Sequence, residues 1–324
     1  MITRNIRNIR NTGSTSNNTS VKKLRATLAG LLALSVVSLA AACGGGGSSS
    51  GPSITVGSKN FTEQVVLGEL YSQVLEDSGF DVKKKLNLGN VTTLDQALQS
   101  GNVTMYPEYT GTSLVQALGQ EDADYPNPQA TYDAAKKGYE SRDPAATLLA
   151  SVDYNNSYAI TVPKDIAKKY DLKTVGDLAG VSDEITFASF GECQENPACF
   201  PNLKDNYDVN FKDVTLVDSL GLRYQALKQG DAQAAVGFTT DAQLLSEDLV
   251  VLDEKKDIWP YYYAAPVIDQ SYLDEHQKVA DIVNPVSKSL GINDIRSLNG
   301  RVDLDNEDAD KVAEDYLKEN GFIE

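Results

Sequence analysis

The chain of 324 residues carries 46 acidic and 29 basic side chains, a formal net charge of −17, and a single histidine. Such a surplus of negative charge repels nucleic acid and anionic lipid headgroups, and otherwise reads as solubility. One histidine leaves only His276 for a Ser-His-Asp or Cys-His site, and it lies in Asp274-Glu275-His276-Gln277-Lys278, which reads as an exposed helix.

Residues 1–25 hold six basic residues (Arg4, Arg7, Arg10, Lys22, Lys23, Arg25) and no acidic one. Residues 26–42 follow without a charge and end on Ala40-Ala41-Ala42, directly before Cys43. A basic region, an apolar core and a small-residue cleavage site predict a secretory leader over 1–42. An uncleaved membrane anchor is the competing reading, since the apolar run is at the short limit for a span. The surroundings of Cys43 resemble a bacterial lipobox, in which the thiol is acylated; Ala40 stands where Leu is usual, with Leu39 one place earlier. Glycines 44–47 and serines 48–50 make 43–53 a flexible tether. The remaining residues, about 270, suffice for two lobes with cores.

Ile54-Thr55-Val56 reads as a short strand ended by Gly57. A helix starts near Thr62, with apolar residues at Val66, Leu70 and Val74, and stops at Gly79. A second helix covers 94–99 and ends by Gly101. Further strands are expected at 158–162, 185–187, 214–217, 234–236 and 250–252, with helical patterns between most of them and a mainly helical part from Ser271. This alternation predicts an α/β architecture with mostly parallel sheets.

An internal echo runs through this pattern. Gln96-Ala97-Leu98 is followed by Gly101 and then Tyr109-Thr110; Gln225-Ala226-Leu227 is followed by Gly230 and then Phe238-Thr239, at the same offsets. Each copy reads as helix, glycine stop and short strand with an aromatic at its carboxyl end, where open α/β sheets bind ligands. Two lobes built alike would each present an aromatic to a shared cleft.

Cys193 and Cys199, separated by five residues that include Asn196-Pro197, read as a disulfide-stapled loop if the chain is exported. A metal site is the competitor, with its nearest histidine at His276, far off in sequence. No phosphate loop, zinc spacing or dinucleotide fingerprint is present, so no cofactor and no catalytic step are expected. Tyrosine outnumbers phenylalanine 16 to 8 and clusters at Tyr106–Tyr109, at Tyr154 and Tyr158, and at Tyr261-Tyr262-Tyr263 beside the single Trp259. A quaternary ammonium has no N–H to donate and an apolar methyl surface, and aromatic faces satisfy both properties.

Gly57-Ser58-Lys59-Asn60-Phe61-Thr62-Glu63-Gln64 and Tyr106-Pro107-Glu108-Tyr109-Thr110-Gly111-Thr112 resemble the signature segments of the osmoprotectant-binding lipoproteins of ABC importers, the glycine betaine/carnitine/choline-binding proteins. The resemblance continues through Asn155–Ala159, Phe238–Asp241 and Tyr262–Pro266. It implies a two-lobed periplasmic-binding-protein fold of type II with two hinge crossovers, lobe one at 54–158 plus 264–324 and lobe two at 159–263. It implies an aromatic cage of Tyr109, Tyr158, Phe238 and Tyr262 around a quaternary-ammonium ligand, with Lys59 and Thr112 at the ligand's polar end and Asn156 beside it. Phe238 stands where relatives commonly have tyrosine. Betaine-binding relatives place an arginine on the carboxylate from a segment corresponding to 190–200, which holds no basic residue here. The expected partners are the small ligand and the permease subunits in the membrane, for a monomer tethered by lipid to the outer face. A receptor for another small cation or an amino acid is the alternative ligand class, and a secreted enzyme on the same fold the alternative function.

Only the thiol of Cys43 can take the lipid. Cys43→Ala is therefore expected to move the protein from the membrane fraction to the medium, or to leave it as unprocessed precursor, as read by fractionation and N-terminal mass spectrometry.

Overall fold

A computed structural model describes residues 51–120, 126–217 and 219–324. The leader 1–42, Cys43 and the tether as far as Ser50 lie outside the described residues. The chain forms two five-stranded mixed sheets. In chain order the elements of the first are β1 (Ser53–Lys59), α1 (Thr62–Asp77), β2 (Asp81–Gly89), α2 (Val91–Gln99), β3 (Met105–Tyr109), a short turn α3 (Thr110–Thr112), α4 (Pro128–Ser141) and β4 (Ala146–Leu148). The chain then crosses into β5 (Tyr158–Pro163), α5 (Lys164–Tyr170), β6 (Thr186–Ser189), α6 (Gly191–Glu195), α7 (Phe200–Tyr207), β7 (Asp213–Leu216), α8 (Leu220–Gln229), β8 (Ala234–Phe238) and β9 (Leu249–Val251). It returns through β10 (Ala264–Asp269) to α9 (Gln270–Glu275), α10 (Lys278–Ser289), α11 (Ile292–Asp303) and α12 (Ala309–Glu319). No helix among the described residues is long and apolar enough to cross a membrane.

The sheets share one topology. The first runs β2-β1-β3-β10-β4 and the second β7-β6-β8-β5-β9. In each, a central strand pairs in parallel with an edge strand and an inner strand (β1 with β2 and β3; β6 with β7 and β8). The other two pairings of each sheet are antiparallel. The sheets are thus mixed rather than mostly parallel. The reason is that β5 and β10 are the strands by which the chain enters each sheet from the other one, and neither is reached by a βαβ crossover. The echoed segments fall on matching elements: α2 and α8 are each followed by a left-handed glycine, Gly101 (φ +71) and Gly230 (φ +80). Tyr109 and Phe238 are the last residues of β3 and β8.

Each sheet has its own core. Ile54, Leu67, Leu70, Tyr71 and Met105 pack with Val283, Ile295, Val312 and Leu317, so the C-terminal helices close over α1. On the other face of that sheet, Leu94, Tyr106, Leu114 and Tyr139 form a second cluster. Around the second sheet, Ile160, Phe187, Val236 and Trp259 pack with the disulfide-joined Cys193 and Cys199. The apolar residues of α1 at positions 66, 67, 70, 74 and 75 follow the helical period that places one stripe on the core.

The two passages between the sheets lie side by side. Asn155 bridges Tyr263, the Asn156 N–H donates to the Tyr262 carbonyl at 3.0 Å, and Asn155 Oδ1 accepts the Tyr262 N–H at 2.7 Å. Thr110 and Gly111 then donate their N–H groups to the carbonyls of Tyr263 and Tyr261. Asn155→Ala deletes the side-chain acceptor of this strap. It is expected to lower the unfolding free energy by about 1–3 kcal/mol, read as a lower midpoint in denaturant titration.

Candidate functional site

The aromatic residues converge where the strands of the second sheet end. Tyr158 and Phe238 sit opposite each other in the β5–β8 ladder, so their side chains share one face, with ring centroids 5.6 Å apart. Tyr262, on the returning passage, meets Tyr158 edge-on at 6.2 Å, and Trp259 meets it at 5.3 Å. Phe190, just past β6, lies 6.0 Å from Phe238. The stapled loop backs this cluster, with Asn196 Nδ2 donating to the Tyr158 hydroxyl at 3.3 Å. Burial pushes the Tyr158 hydroxyl up to about 12 and that of Tyr262 higher still, so both stay neutral. Gly111 makes the close approach possible: a Cβ there would stand 2.9 Å from the Tyr261 carbonyl oxygen and 3.1 Å from the Tyr262 ring.

The first sheet contributes a polar floor. Glu63, at the start of α1, is buried and accepts hydrogen bonds from the Tyr109 hydroxyl (2.8 Å), the Tyr154 hydroxyl (3.2 Å) and Asn156 Nδ2 (3.2 Å). The Thr240 hydroxyl reaches the same carboxylate from beyond β8. Burial raises the Glu63 pKa, and these donors pull it back. The side-chain oxygen of Asn156, Oδ1, is buried without a hydrogen-bond partner among the described residues. From α11, Arg296 Nε donates to the Thr239 carbonyl at 2.7 Å and Asn299 Nδ2 to the Thr240 carbonyl at 3.1 Å.

Of the residues singled out in the sequence, Tyr158, Phe238 and Tyr262 come together. Asn156 and Tyr109 meet through their polar atoms, Nδ2 to hydroxyl at 3.3 Å. The Tyr109 ring stacks with Phe61 at 6.3 Å, and no ring contact joins it to Phe238 among the described residues. Thr112 is half-buried on α3, next to Gly111. Lys59 is buried, ion-paired with Glu108, and carries its ammonium 4.7 Å over the Tyr109 ring. Desolvation lowers its pKa and the Glu108 carboxylate opposes that shift.

Sequence reasoning passed over Glu63, Phe190, Trp259, Arg223 and Asp241 as site residues. Arg223, in the first turn of α8, is 3 % exposed and lies with its guanidinium 4.4 Å over the Phe190 ring. Asp241 Oδ2 accepts both the Phe238 N–H and the Tyr224 hydroxyl, each at 2.7 Å. The acids were hidden among 46 of their kind. Arg223 becomes visible once the echoed segments are aligned, because it stands at the position that Leu94 holds in the first copy.

Burial raises the Asp241 carboxyl from 3.8 to about 7, against the pull of the Phe238 N–H, the Tyr224 hydroxyl and Arg223. Because the folded value is the higher one, the folded state holds a proton that the unfolded chain releases between about pH 4 and pH 7. The contribution to stability is complete below pH 4 and is lost as the pH rises through 7. Asp241→Asn cannot ionise and keeps an oxygen for both donors. It is expected to remove about 2–4 kcal/mol of the decline in stability from pH 4 to pH 8, read by comparing the two proteins' melting temperatures across that range.

Residues 52–319 match the family model described as the substrate binding domain of the ABC-type glycine betaine transport system. The chain is 31% identical over 278 residues to the glycine betaine-binding protein YehZ of Escherichia coli (strain K12), covering 83% of this chain and 91% of that one. It is 30% identical over 281 residues to the carnitine transport binding protein OpuCC of Listeria monocytogenes serotype 1/2a (strain 10403S), covering 86% of this chain and 90% of that one. A solved structure of a glycine betaine/carnitine/choline ABC transporter superposes with a TM-score of 0.76 at 25% identity, over 84% of this chain and 100% of that one. Matching topology in two sheets, two paired passages between them and a family match over nearly all the described residues lead to one conclusion: the chain belongs to the substrate-binding-domain family of ABC-type glycine betaine transport systems.

Proposed function

We propose that this protein is the receptor of an ABC importer for a quaternary-ammonium osmolyte, held at the outer face of the membrane by lipid on Cys43 and working as a monomer. Residues 54–158 plus 264–324 form one lobe and 159–263 the other, and the ligand's trimethylated head sits between them against Tyr158, Phe238 and Tyr262, with Tyr109 and Asn156 on the side of the first lobe. Lys59 and Thr112 lie toward the ligand's polar end.

The observation that carries this reading is the convergence of three neutral aromatic rings on the carboxyl ends of β8 and the start of β5, with centroids 5.6 and 6.2 Å apart around Tyr158. Rings grouped in this way exclude water and offer electron-rich faces to a cation that cannot be hydrogen-bonded. Each desolvated contact of that kind contributes about 2 kcal/mol, so four reach the roughly 8 kcal/mol of micromolar binding before entropy is subtracted. The floor adds acceptors: the Glu63 carboxyl is buried beside Tyr109, and Asn156 Oδ1 has no donor among the described residues. The same two-lobed architecture with paired passages supports closure by hinge rotation near 158 and 263. The relatives named for glycine betaine and carnitine point to the same ligand class.

A thermal-shift screen of glycine betaine, choline, carnitine, proline and ectoine is expected to raise the melting temperature with the first three. Tyr262→Ala is expected to weaken every quaternary-ammonium ligand by about five- to thirtyfold in calorimetry, about 1–2 kcal/mol. Unaltered binding of all of them by this variant contradicts the cage as assigned.

A further inference from the structure

The loop between α6 and α7 is built to hold one side chain still. Cys193 and Cys199 close it with a disulfide, and both are buried in the core that contains Trp259. Closing a loop this short removes most of its conformations. Asn196, in its middle, commits three polar groups to its immediate surroundings. Its N–H donates to the Glu192 carbonyl at 2.8 Å, its carbonyl accepts the Cys199 N–H at 2.9 Å, and its Oδ1 accepts the Ala198 N–H at 2.9 Å. The fourth group, Nδ2, leaves the loop and donates to the Tyr158 hydroxyl at 3.3 Å. Past the staple, α7 also grips the residue before Trp259, through Asn202 Nδ2 and the Ile258 carbonyl.

Tyr158 touches three rings of the aromatic cluster: Phe238 at 5.6 Å, Trp259 at 5.3 Å and Tyr262 at 6.2 Å, at interplanar angles of 31°, 64° and 85°. Apolar contact of this kind is non-directional. A hydrogen bond at the hydroxyl is directional, and it fixes where the long axis of the ring points. The donor reaches that hydroxyl from a loop that the disulfide immobilises, so the ring is oriented from outside the cluster. A ring fixed before the ligand arrives loses less freedom on binding, and the difference appears as affinity.

We propose that Asn196 is a positioning residue for ligand binding: through the Tyr158 hydroxyl it holds that ring in its binding orientation, and the Cys193–Cys199 disulfide holds Asn196. The inference rests on the reading of the aromatic cluster as the quaternary-ammonium site, and it assigns the stapled loop its part in that site. Because Asn196 acts on a ring that meets the head, its effect is the same for every ligand that shares the head, whatever the tail.

Calorimetric titration of the full chain with glycine betaine and with choline tests this on two backgrounds. Asn196→Ala is expected to weaken whichever of them the parent protein binds by about threefold to tenfold, the range for one neutral hydrogen bond, and both alike if it binds both. Tyr158→Phe keeps the ring and removes the acceptor, and is expected to lose about the same. In the double variant the second change is expected to add less than about twofold, because the bond is already gone. Asn196→Ser keeps an oxygen for the Ala198 N–H but is too short to reach Tyr158. It is expected to match the alanine variant, and carries the test if that variant does not fold. Additive losses in the double variant show that Asn196 shapes only its own loop, and overturn the inference. So do recovery of the parent affinity in Asn196→Ser, an unaltered affinity in Asn196→Ala, and a loss in Tyr158→Phe far beyond that of Asn196→Ala. Each of these leaves the aromatic cluster standing as the site. A parent protein that binds neither ligand overturns the site itself, and this inference with it.

Discussion

A buried carboxyl group ties together the parts of this molecule that meet between its two sheets. Glu63 is buried at the start of α1, where burial raises its pKa and the donors of Tyr109, Tyr154, Asn156 and Thr240 oppose that shift. Leaving such a group unsatisfied costs several kcal/mol, so every one of those side chains is fixed in direction by it. Through Tyr109 it orients the end of β3. By way of Tyr154 and Asn156 it holds the first passage between the sheets, and through Thr240 it reaches past β8. The strap between the passages then positions Tyr262, because its backbone is tied to Asn155 on one side and packs on Gly111 on the other. The aromatic cluster is thus set by a polar network that lies beside it rather than within it.

The balance of forces in the cleft follows from what each lobe contributes. The second sheet supplies rings whose hydroxyls are neutral, and therefore dispersion and quadrupole. The first supplies formal charge, but pairs most of it internally: Lys59 with Glu108, and Glu63 with hydroxyls and an amide. Arg296 and Asn299 reach from α11 to main-chain carbonyls next to Phe238. Those hydrogen bonds join the C-terminal helices of one core to the strand end of the other. The Arg296 bond is charge-assisted, worth about 1.5–3 kcal/mol, and the Asn299 bond is neutral, worth about 1 kcal/mol.

Much of this was legible in the amino-acid order, for reasons that differ by element. α1 announced itself by its stripe of Val66, Leu70 and Val74, and α2 by its glycine stop. The equal offsets from Gln96 to Tyr109 and from Gln225 to Phe238 foretold two sheets of the same build. β2 escaped notice because it is an edge strand whose centre is Lys83-Lys84-Lys85, a composition that protects edges from pairing but looks like loop. β4 is three residues long, and β10 contains Pro266 and hides between tyrosines and an acid. The ring contacts of Tyr109 with Phe61, and the engagement of Lys59 by Glu108, depend on which side chains the third dimension brings near. Local pattern does not encode that. Arg223 is the instructive case: in its own helix it looks like a solvated charge, and only the comparison with Leu94 shows that the position is interior.

The chain holds one tryptophan, and the fold sets it against the back of Tyr158, 5.3 Å away and 8 % exposed. An indole responds in colour and brightness to the polarity and motion of what surrounds it. Because there is no second indole to dilute the signal, the whole of that emission originates beside Tyr158. The protein thus carries its own optical gauge, and any change in what surrounds Tyr158 is written into the light of Trp259 with no label attached.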